Sequence, residues 1–155
     1  KIFIITPFGS GRSFFFIFTG KTVKNKLIIF ASDDGGNHWK WRYQMAEAMA
    51  HKVDKEALGV KAIYLIGSTK NANSGPASDI DLMIHFSGNE EQKKLLQTWI
   101  DGWSKCLDSL NHILTGHHDQ RGLIDLHLIT DKDIQAADSF TVKIGAHTDA
   151  ARKLL

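Results

Sequence analysis

The chain has 155 residues, of which 43% are hydrophobic and 23% are charged, the balance of a soluble globular protein with room for one domain and its core. The formal net charge of +2 is too small to indicate a nucleic-acid partner, although it does not exclude an anionic substrate. The single cysteine, Cys106, cannot form an internal disulfide, so we predict a half-buried thiol in a reducing compartment.

Short β-rich runs divided by glycine-containing turns open the sequence: Ile2–Thr6, Ser13–Thr19 and Lys26–Ala31. This pattern predicts a small antiparallel meander or a set of hairpins. We therefore assign a β-rich N-terminal extension to residues 1–38 and a second, α/β domain to residues 39–155, with one continuous domain as the alternative.

A helix and a strand are predicted next. From about Trp41 to Leu58 the apolar residues recur at helical spacing, and Gly59 supplies the stop signal. Val60 to Ile66 is a compact apolar run that predicts a strand. This strand would lead directly into Gly67 and Ser68.

Paired carboxylates follow a loop. Turn-forming residues from Thr69 to Ser78 separate Gly67-Ser68 from an apolar run that opens with Asp79 and Asp81. Because side chains on a strand alternate, both acids would point to one face. Neighbouring carboxylates disfavour each other's ionisation unless a cation lies between them. In the alternative interpretation, Asp79 merely starts the strand and Asp81 is a solvated strand residue.

The surrounding residue types indicate which cation and ligand would fit. Mg²⁺ prefers oxygen ligands and keeps coordination positions for substrate phosphates. Gly67 allows a close approach of the backbone to a ligand, and Ser68 offers a hydroxyl to a phosphate oxygen. The stretch therefore predicts metal-assisted phosphoryl chemistry.

A second helix and a strand carrying a third acid are predicted downstream. The helix runs from Glu90 to about Leu114, with a buried stripe of Leu95, Leu96, Trp99, Trp103, Leu107, Leu110 and Leu114. In the strand from Leu123 to Thr130, Asp125 is an acid among apolar residues, and burying a charge is costly unless it is paired or binds metal. Asp125 is therefore the candidate third metal ligand; the alternative is a pair with Arg121 or His127.

Histidines and the end of the chain are the remaining features of the sequence. His117, His118, His85 and His127 suggest a rival transition-metal site, but they lack a zinc-type spacing, so we expect His85 or His127 at most to support a metal ligand. Near the end, residues 139–144 predict a short strand and residues 148–155 a helical piece, with Lys143 and Arg152 on the surface.

The spacing Gly67-Ser68, a ten-residue loop and Ser78-Asp79-Ile80-Asp81-Leu82 resembles the signature of the DNA polymerase β-like nucleotidyltransferases, especially their minimal members. The resemblance spans roughly residues 43–130. It implies an α/β (α+β) fold with a mixed sheet and flanking helices, a nucleotide held by Gly67, Ser68, Lys70 and Ser78, and two Mg²⁺ (or Mn²⁺) ions held by Asp79, Asp81 and Asp125.

The function that the resemblance implies is transfer of a nucleoside monophosphate from a nucleoside triphosphate to a hydroxyl acceptor, which could belong to a small molecule, a protein or a nucleic acid. A non-catalytic, antitoxin-like or regulatory module of the same fold is the alternative, since Lys70, Asn71 and Ala72 depart from the residues usual in minimal members. A metal-dependent hydrolase is a third class.

The cellular setting follows from weaker signals. The apolar run at residues 14–18 is far too short to span a membrane, and polar residues interrupt any signal-peptide pattern. Because the sequence begins with Lys1, we expect a cytoplasmic fragment of a larger parent chain. A homodimer is the alternative assembly.

Overall fold

The computed structural model of the chain describes residues 37–155 and the backbones of three strands that precede them. These are β1 (Ile2–Ile5), β2 (Ser13–Phe18) and β3 (Ile28–Ala31). β2 pairs antiparallel with both of its neighbours, so the predicted meander is confirmed. The expected strand ends at Thr6, Thr19 and Lys26 lie outside the described residues, and the domain boundary near residue 38 stays a prediction.

Residues 37–155 form a second, four-stranded sheet with helices around it. In chain order the elements are α1 (His38–Ala50), α2 (Lys55–Leu58), β4 (Val60–Leu65), α3 (Gly67–Lys70), β5 (Ile80–Phe86), α4 (Glu90–Thr115), β6 (Ile124–Ile129), α5 (Asp131–Ala136), a 3₁₀ turn (Thr141–Lys143) and β7 (Arg152–Lys153).

The sheet is mixed, with strand order β6-β5-β4-β7. β4 runs antiparallel to β5 and to β7, whereas β5 and β6 are parallel. Parallel neighbours need a crossover connection, and α4 supplies it between β5 and β6. The predicted mixed α/β architecture is therefore confirmed, and the parallel pair places the starts of β5 and β6 side by side.

The main core lies between the helices and one face of the sheet. It joins apolar residues of α1 and α4 to alternate residues of β5, namely Ile80, Leu82, Ile84 and Phe86. On the opposite face a smaller cluster of Ile66, Met83 and Ile129 is covered in part by Phe140 and Ile144. The face of β5 that carries Asp81 is thus packed at Met83, in the middle of the strand.

The helix predicted from Trp41 to Leu58 is two helices. α1 ends at Ala50, and the Asp54 carboxylate accepts a hydrogen bond from the Ala57 backbone N–H at 2.9 Å, which caps the start of α2. Gly59 ends α2 in the left-handed conformation (φ +65°), as its residue type predicted.

The long helix was predicted correctly, but its buried face was not. Asn89 and Gln92 form a capping box at the start of α4, and Gly116 ends it. Leu95 is 57% exposed and Cys106 is also exposed, so both burial predictions were wrong. Polar residues occupy part of the buried face instead: Ser104, Asp108 and Asn111.

The last part of the chain differs from both predictions. A 3₁₀ turn replaces the strand expected at residues 139–144, and residues 148–155 contain the two-residue strand β7 rather than a helix. β7 pairs with Tyr64 and Leu65, because β4 would otherwise present unpaired backbone groups at the sheet edge. Among the helices of the described residues, none is long and apolar enough to cross a bilayer.

Candidate functional site

Two carboxylates lie side by side where the parallel strands begin. Asp81 of β5 is directly opposite Asp125 of β6 in the strand register. Potential ligand atoms of Asp81, Asp125 and His127 all lie within 4.8 Å of one another. Two ligands on opposite sides of a Mg²⁺ ion are separated by about 4.2 Å, so these atoms lie at nearly the spacing that one ion requires.

The electrostatics of Asp81 indicate a site that favours a cation. Burial raises the pKa of the Asp81 carboxyl, and the charges of Asp79 and Asp125 raise it further, while His127 acts in the opposite direction. Asp79 is exposed and stands immediately before β5. The structure therefore brings the three predicted acids into one electrostatic environment, and their oxygen donors fit Mg²⁺ or Mn²⁺.

One expectation about Asp125 was wrong. Its side chain is 52% exposed rather than buried, because β6 is the edge strand of the sheet. The alternative partner Arg121 binds Asp119 instead, at 2.9 Å. The other alternative partner is close, since His127 Nε2 lies 3.3 Å from Asp125 Oδ2.

Gly67 fixes the position of the Asp81 carboxylate. It begins the one-turn helix α3, where a loop was expected, and its φ is +66°. A Cβ atom at this position would lie 2.0 Å from Asp81 Oδ2 and 2.6 Å from its Cγ. A side chain at residue 67 would therefore occupy the space that the carboxylate fills, so glycine is required here for packing as well as for its backbone conformation.

Hydroxyl groups organise the turn after Gly67. The buried Ser74 hydroxyl contacts Ser68 Oγ at 3.2 Å and Thr69 Oγ1 at 2.9 Å. Thr69 Oγ1 also donates to the carbonyl of Asp79 at 3.3 Å. The Ser78 hydroxyl accepts from the Gly75 N–H at 2.9 Å. The hydroxyls of Ser68 and Ser78 thus form hydrogen bonds within the loop.

Lys70 has a partner that the sequence did not suggest. Its ammonium lies 2.5 Å from Asp149 Oδ1, and the Lys70 side chain is only 10% exposed. Asn71 donates to the same oxygen at 3.2 Å, and Lys143 lies 3.4 Å from the other carboxylate oxygen. These partners, Lys70 foremost, lower the pKa of Asp149 to about 2. The positive charge of Lys70 beside the turn is therefore already paired with a carboxylate.

A buried arginine that was not predicted from the sequence binds the backbone of the loop before β5. Arg42 of α1 is fully buried and donates to the carbonyls of Ser78 (3.0 Å) and Pro76 (3.1 Å) and to Asn111 Oδ1 (2.8 Å). Asn111 also donates to the Pro76 carbonyl, at 3.1 Å. Burial lowers the pKa of Arg42 to about 10, while the charge of Asp79 acts in the opposite direction.

The predicted histidines do not form one cluster. His85 Nε2 lies 2.8 Å from Asp131 Oδ1, a carboxylate that Lys61 also binds. His118 pairs with the buried Asp108. His127 alone of the four lies with the acids, whereas His85, the other histidine expected to support a metal ligand, is bound to Asp131.

Comparison with known families identifies the domain that carries this site. The model of the family described as "Nucleotidyltransferase domain" matches residues 43–133, more than half of the chain. The chain belongs to the nucleotidyltransferase domain family. The resemblance predicted for residues 43–130 is therefore confirmed. No curated protein and no solved structure shows significant similarity to the chain.

The matched range of this nucleotidyltransferase domain includes the Gly67 turn, all three candidate acids and His127. It leaves out the N-terminal meander and Asp149. The family establishes the general kind of reaction, transfer of a nucleotidyl group, and implies a nucleoside triphosphate substrate. The contact between Lys70 and Asp149 joins the matched range to a residue beyond it.

Proposed function

We propose that this nucleotidyltransferase domain transfers a nucleoside monophosphate from a nucleoside triphosphate to a hydroxyl acceptor, with divalent cations held by Asp79, Asp81 and Asp125. The observation that carries the proposal is the pairing of Asp81 with Asp125 across parallel strands, within reach of one ion. Acids that were merely solvated strand residues would have no reason to lie opposite each other on neighbouring strands. Mg²⁺ or Mn²⁺ fits the oxygen donors.

A divalent cation at this position would neutralise phosphate charge and polarise the reacting oxygens, as in two-metal sites whose ions are about 4 Å apart. The chain's own contribution is to hold the reactants in place, since phosphoryl transfer depends mainly on positioning and charge stabilisation. Gly67 keeps the backbone of the turn against Asp81, and Ser68 is the next residue of that turn. We assign the triphosphate to this turn.

In the transfer step, the acceptor oxygen forms a bond to the α-phosphorus, and the bond from that phosphorus to the β-phosphate oxygen breaks. Pyrophosphate leaves with the electron pair of the broken bond. The acceptor hydroxyl loses its proton, which we assign to the carboxylate of Asp125. Its exposure supports this role, because an acceptor approaching from solvent can reach it.

One observation favours a second candidate, a non-catalytic nucleotide-binding or regulatory module of the same fold. Lys70, which the resemblance assigns to the nucleotide, is engaged by Asp149. In the catalytic proposal this ion pair opens when a triphosphate, with its higher negative charge, competes for the ammonium. In the alternative it stays closed, and the turn serves a structural purpose.

The test uses nucleoside triphosphates labelled at the α-phosphate, supplied with Mg²⁺ or Mn²⁺ to the protein and a panel of small-molecule, protein and RNA acceptors. Transfer of label should disappear in Asp81→Asn and Asp125→Asn. The matched control is Asp101→Asn, which removes an exposed acid paired with Lys105 on α4. Tight binding without turnover would favour the module, and nucleotide hydrolysis without an acceptor would indicate a hydrolase.

A further inference from the structure

His127 lies where a ligand to the cation would lie. It is two residues after Asp125 on the same face of β6, and it is opposite the buried Met83 in the register. Its Nε2 is 3.3 Å from Asp125 Oδ2, and one of its ring nitrogens falls within 4.8 Å of a carboxylate oxygen of Asp81. The site therefore offers a nitrogen donor beside its oxygens.

The imidazole ring is held in this position from its other side. His127 stacks on Phe140, with ring centroids 4.2 Å apart and planes 27° from parallel. Phe140 is itself anchored, since its backbone N–H donates to Asp138 Oδ1 at 3.0 Å. A ring that is restrained by stacking loses less freedom when it coordinates an ion, which favours binding.

We propose that His127 is a ligand of the cation shared by Asp81 and Asp125, and that it shifts the preference of the site from Mg²⁺ towards Mn²⁺ and Co²⁺. Mg²⁺ coordinates almost only oxygen, whereas imidazole suits the transition metals. The inference rests on the proposed function for the existence of the metal site, and it adds the identity of one ligand and of the preferred metal.

His85 provides a matched control on the neighbouring strand. It is also a partly buried histidine of the sheet, but its Nε2 is 2.8 Å from Asp131, and Lys61 binds the same carboxylate. Asp131 stands at the start of α5, after the far end of β6. Replacing His85 removes an imidazole from the same sheet without touching the acids.

The experiment is pulsed electron paramagnetic resonance of Mn²⁺ bound to the whole chain without nucleotide, together with calorimetric titration of Mn²⁺ and Mg²⁺. We expect a nitrogen coupling in the wild type and in His85→Gln, and none in His127→Gln. The affinity for Mn²⁺ should fall about tenfold or more in His127→Gln, with a much smaller change for Mg²⁺. Circular dichroism checks that each variant is folded.

If His127→Gln does not fold, labelling the histidines of the wild type with ¹⁵N still puts the proposal at risk, because an unchanged coupling would show that no histidine binds the ion. Mn²⁺ bound without a nitrogen coupling would overturn the role of His127 and leave the carboxylate site of the proposed function intact. If the protein binds no Mn²⁺, or binds it equally well after Asp81→Asn, both the role of His127 and the carboxylate site are overturned. The two failures are therefore distinguishable.

Discussion

Gly67→Ala tests the packing that holds Asp81 at the site. The added Cβ would lie 2.0 Å from Asp81 Oδ2, 2.6 Å from Cγ and 3.2 Å from Cβ. These nearest atoms belong to the Asp81 side chain, so we expect the carboxylate to rotate away while the backbone keeps its conformation. The φ of +66° adds the cost of a left-handed alanine, about 1–2 kcal/mol. The variant should therefore fold, with a small loss of stability and a displaced metal ligand.

The expected results are a fall of about 1–2 kcal/mol in the free energy of unfolding, measured in urea, and a fall of about tenfold or more in Mn²⁺ affinity, measured by calorimetry. Gly116→Ala is the matched control, because Gly116 has a φ of +80° and open space around its Cβ position. It should lose similar stability and keep its Mn²⁺ affinity. Equal Mn²⁺ binding by the two variants would refute the role given to Gly67.

Other replacements separate stability from chemistry. Arg42→Met leaves buried carbonyls without their donor and should lower the free energy of unfolding by about 3 kcal/mol; a loss below about 1 kcal/mol in urea would show that the clamp is dispensable. Asp81→Asn removes a half-buried charge beside other acids, so the metal-free protein should gain about 0.5–2 kcal/mol while losing Mn²⁺ binding; a less stable variant would contradict this. Asp149→Asn should release Lys70 and tighten binding of a fluorescent ATP analogue several-fold, and unchanged affinity would mean that Lys70 does not reach the nucleotide. Because the pKa of Asp149 is lowered to about 2 from 3.8, its stabilising contribution is complete above about pH 4 and is lost as the pH falls towards 2; thermal unfolding should show the wild type losing its advantage over Asp149→Asn only in that acid range.

The strand that carries Asp81 and the turn before it could be anticipated because local signals agree. Period-two alternation in the run from Ile80 to Phe86, and a turn-rich loop before it, predict a strand that starts beside a ligand-binding turn. The resemblance then places a third acid on a later strand, and Asp125 lies opposite Asp81 as that implies. Where short-range pattern and family signature point the same way, the predicted strands and the neighbouring positions of Asp81 and Asp125 agree with the structure.

The supporting contacts were not predictable because their partners are distant in sequence. Arg42 looks like one polar residue of an amphipathic helix, yet its acceptors on Pro76 and Ser78 are more than thirty residues away. Lys70 and Asp149 are 79 residues apart. No local pattern specifies such pairs, since they depend on how the loop and the last residues of the chain pack together.

The exposure of Asp125 was missed for a different reason. An apolar strand with one acid suggests burial on both faces, but β6 lies at the edge of the sheet, and edge position is set by strand order rather than by composition. The place of His127 beside the acids was missed for another reason. Its place beside the acids depends on the register between β5 and β6, which its own neighbours do not specify.

The central claim is that Asp81 and Asp125 share a cation that binds the triphosphate. The most direct measurement is anomalous diffraction from crystals grown with Mn²⁺ and a nonhydrolysable nucleotide. We predict an anomalous peak between the two carboxylates, in contact with phosphate oxygens. A nucleotide bound elsewhere, or Mn²⁺ bound away from both carboxylates, would contradict the claim.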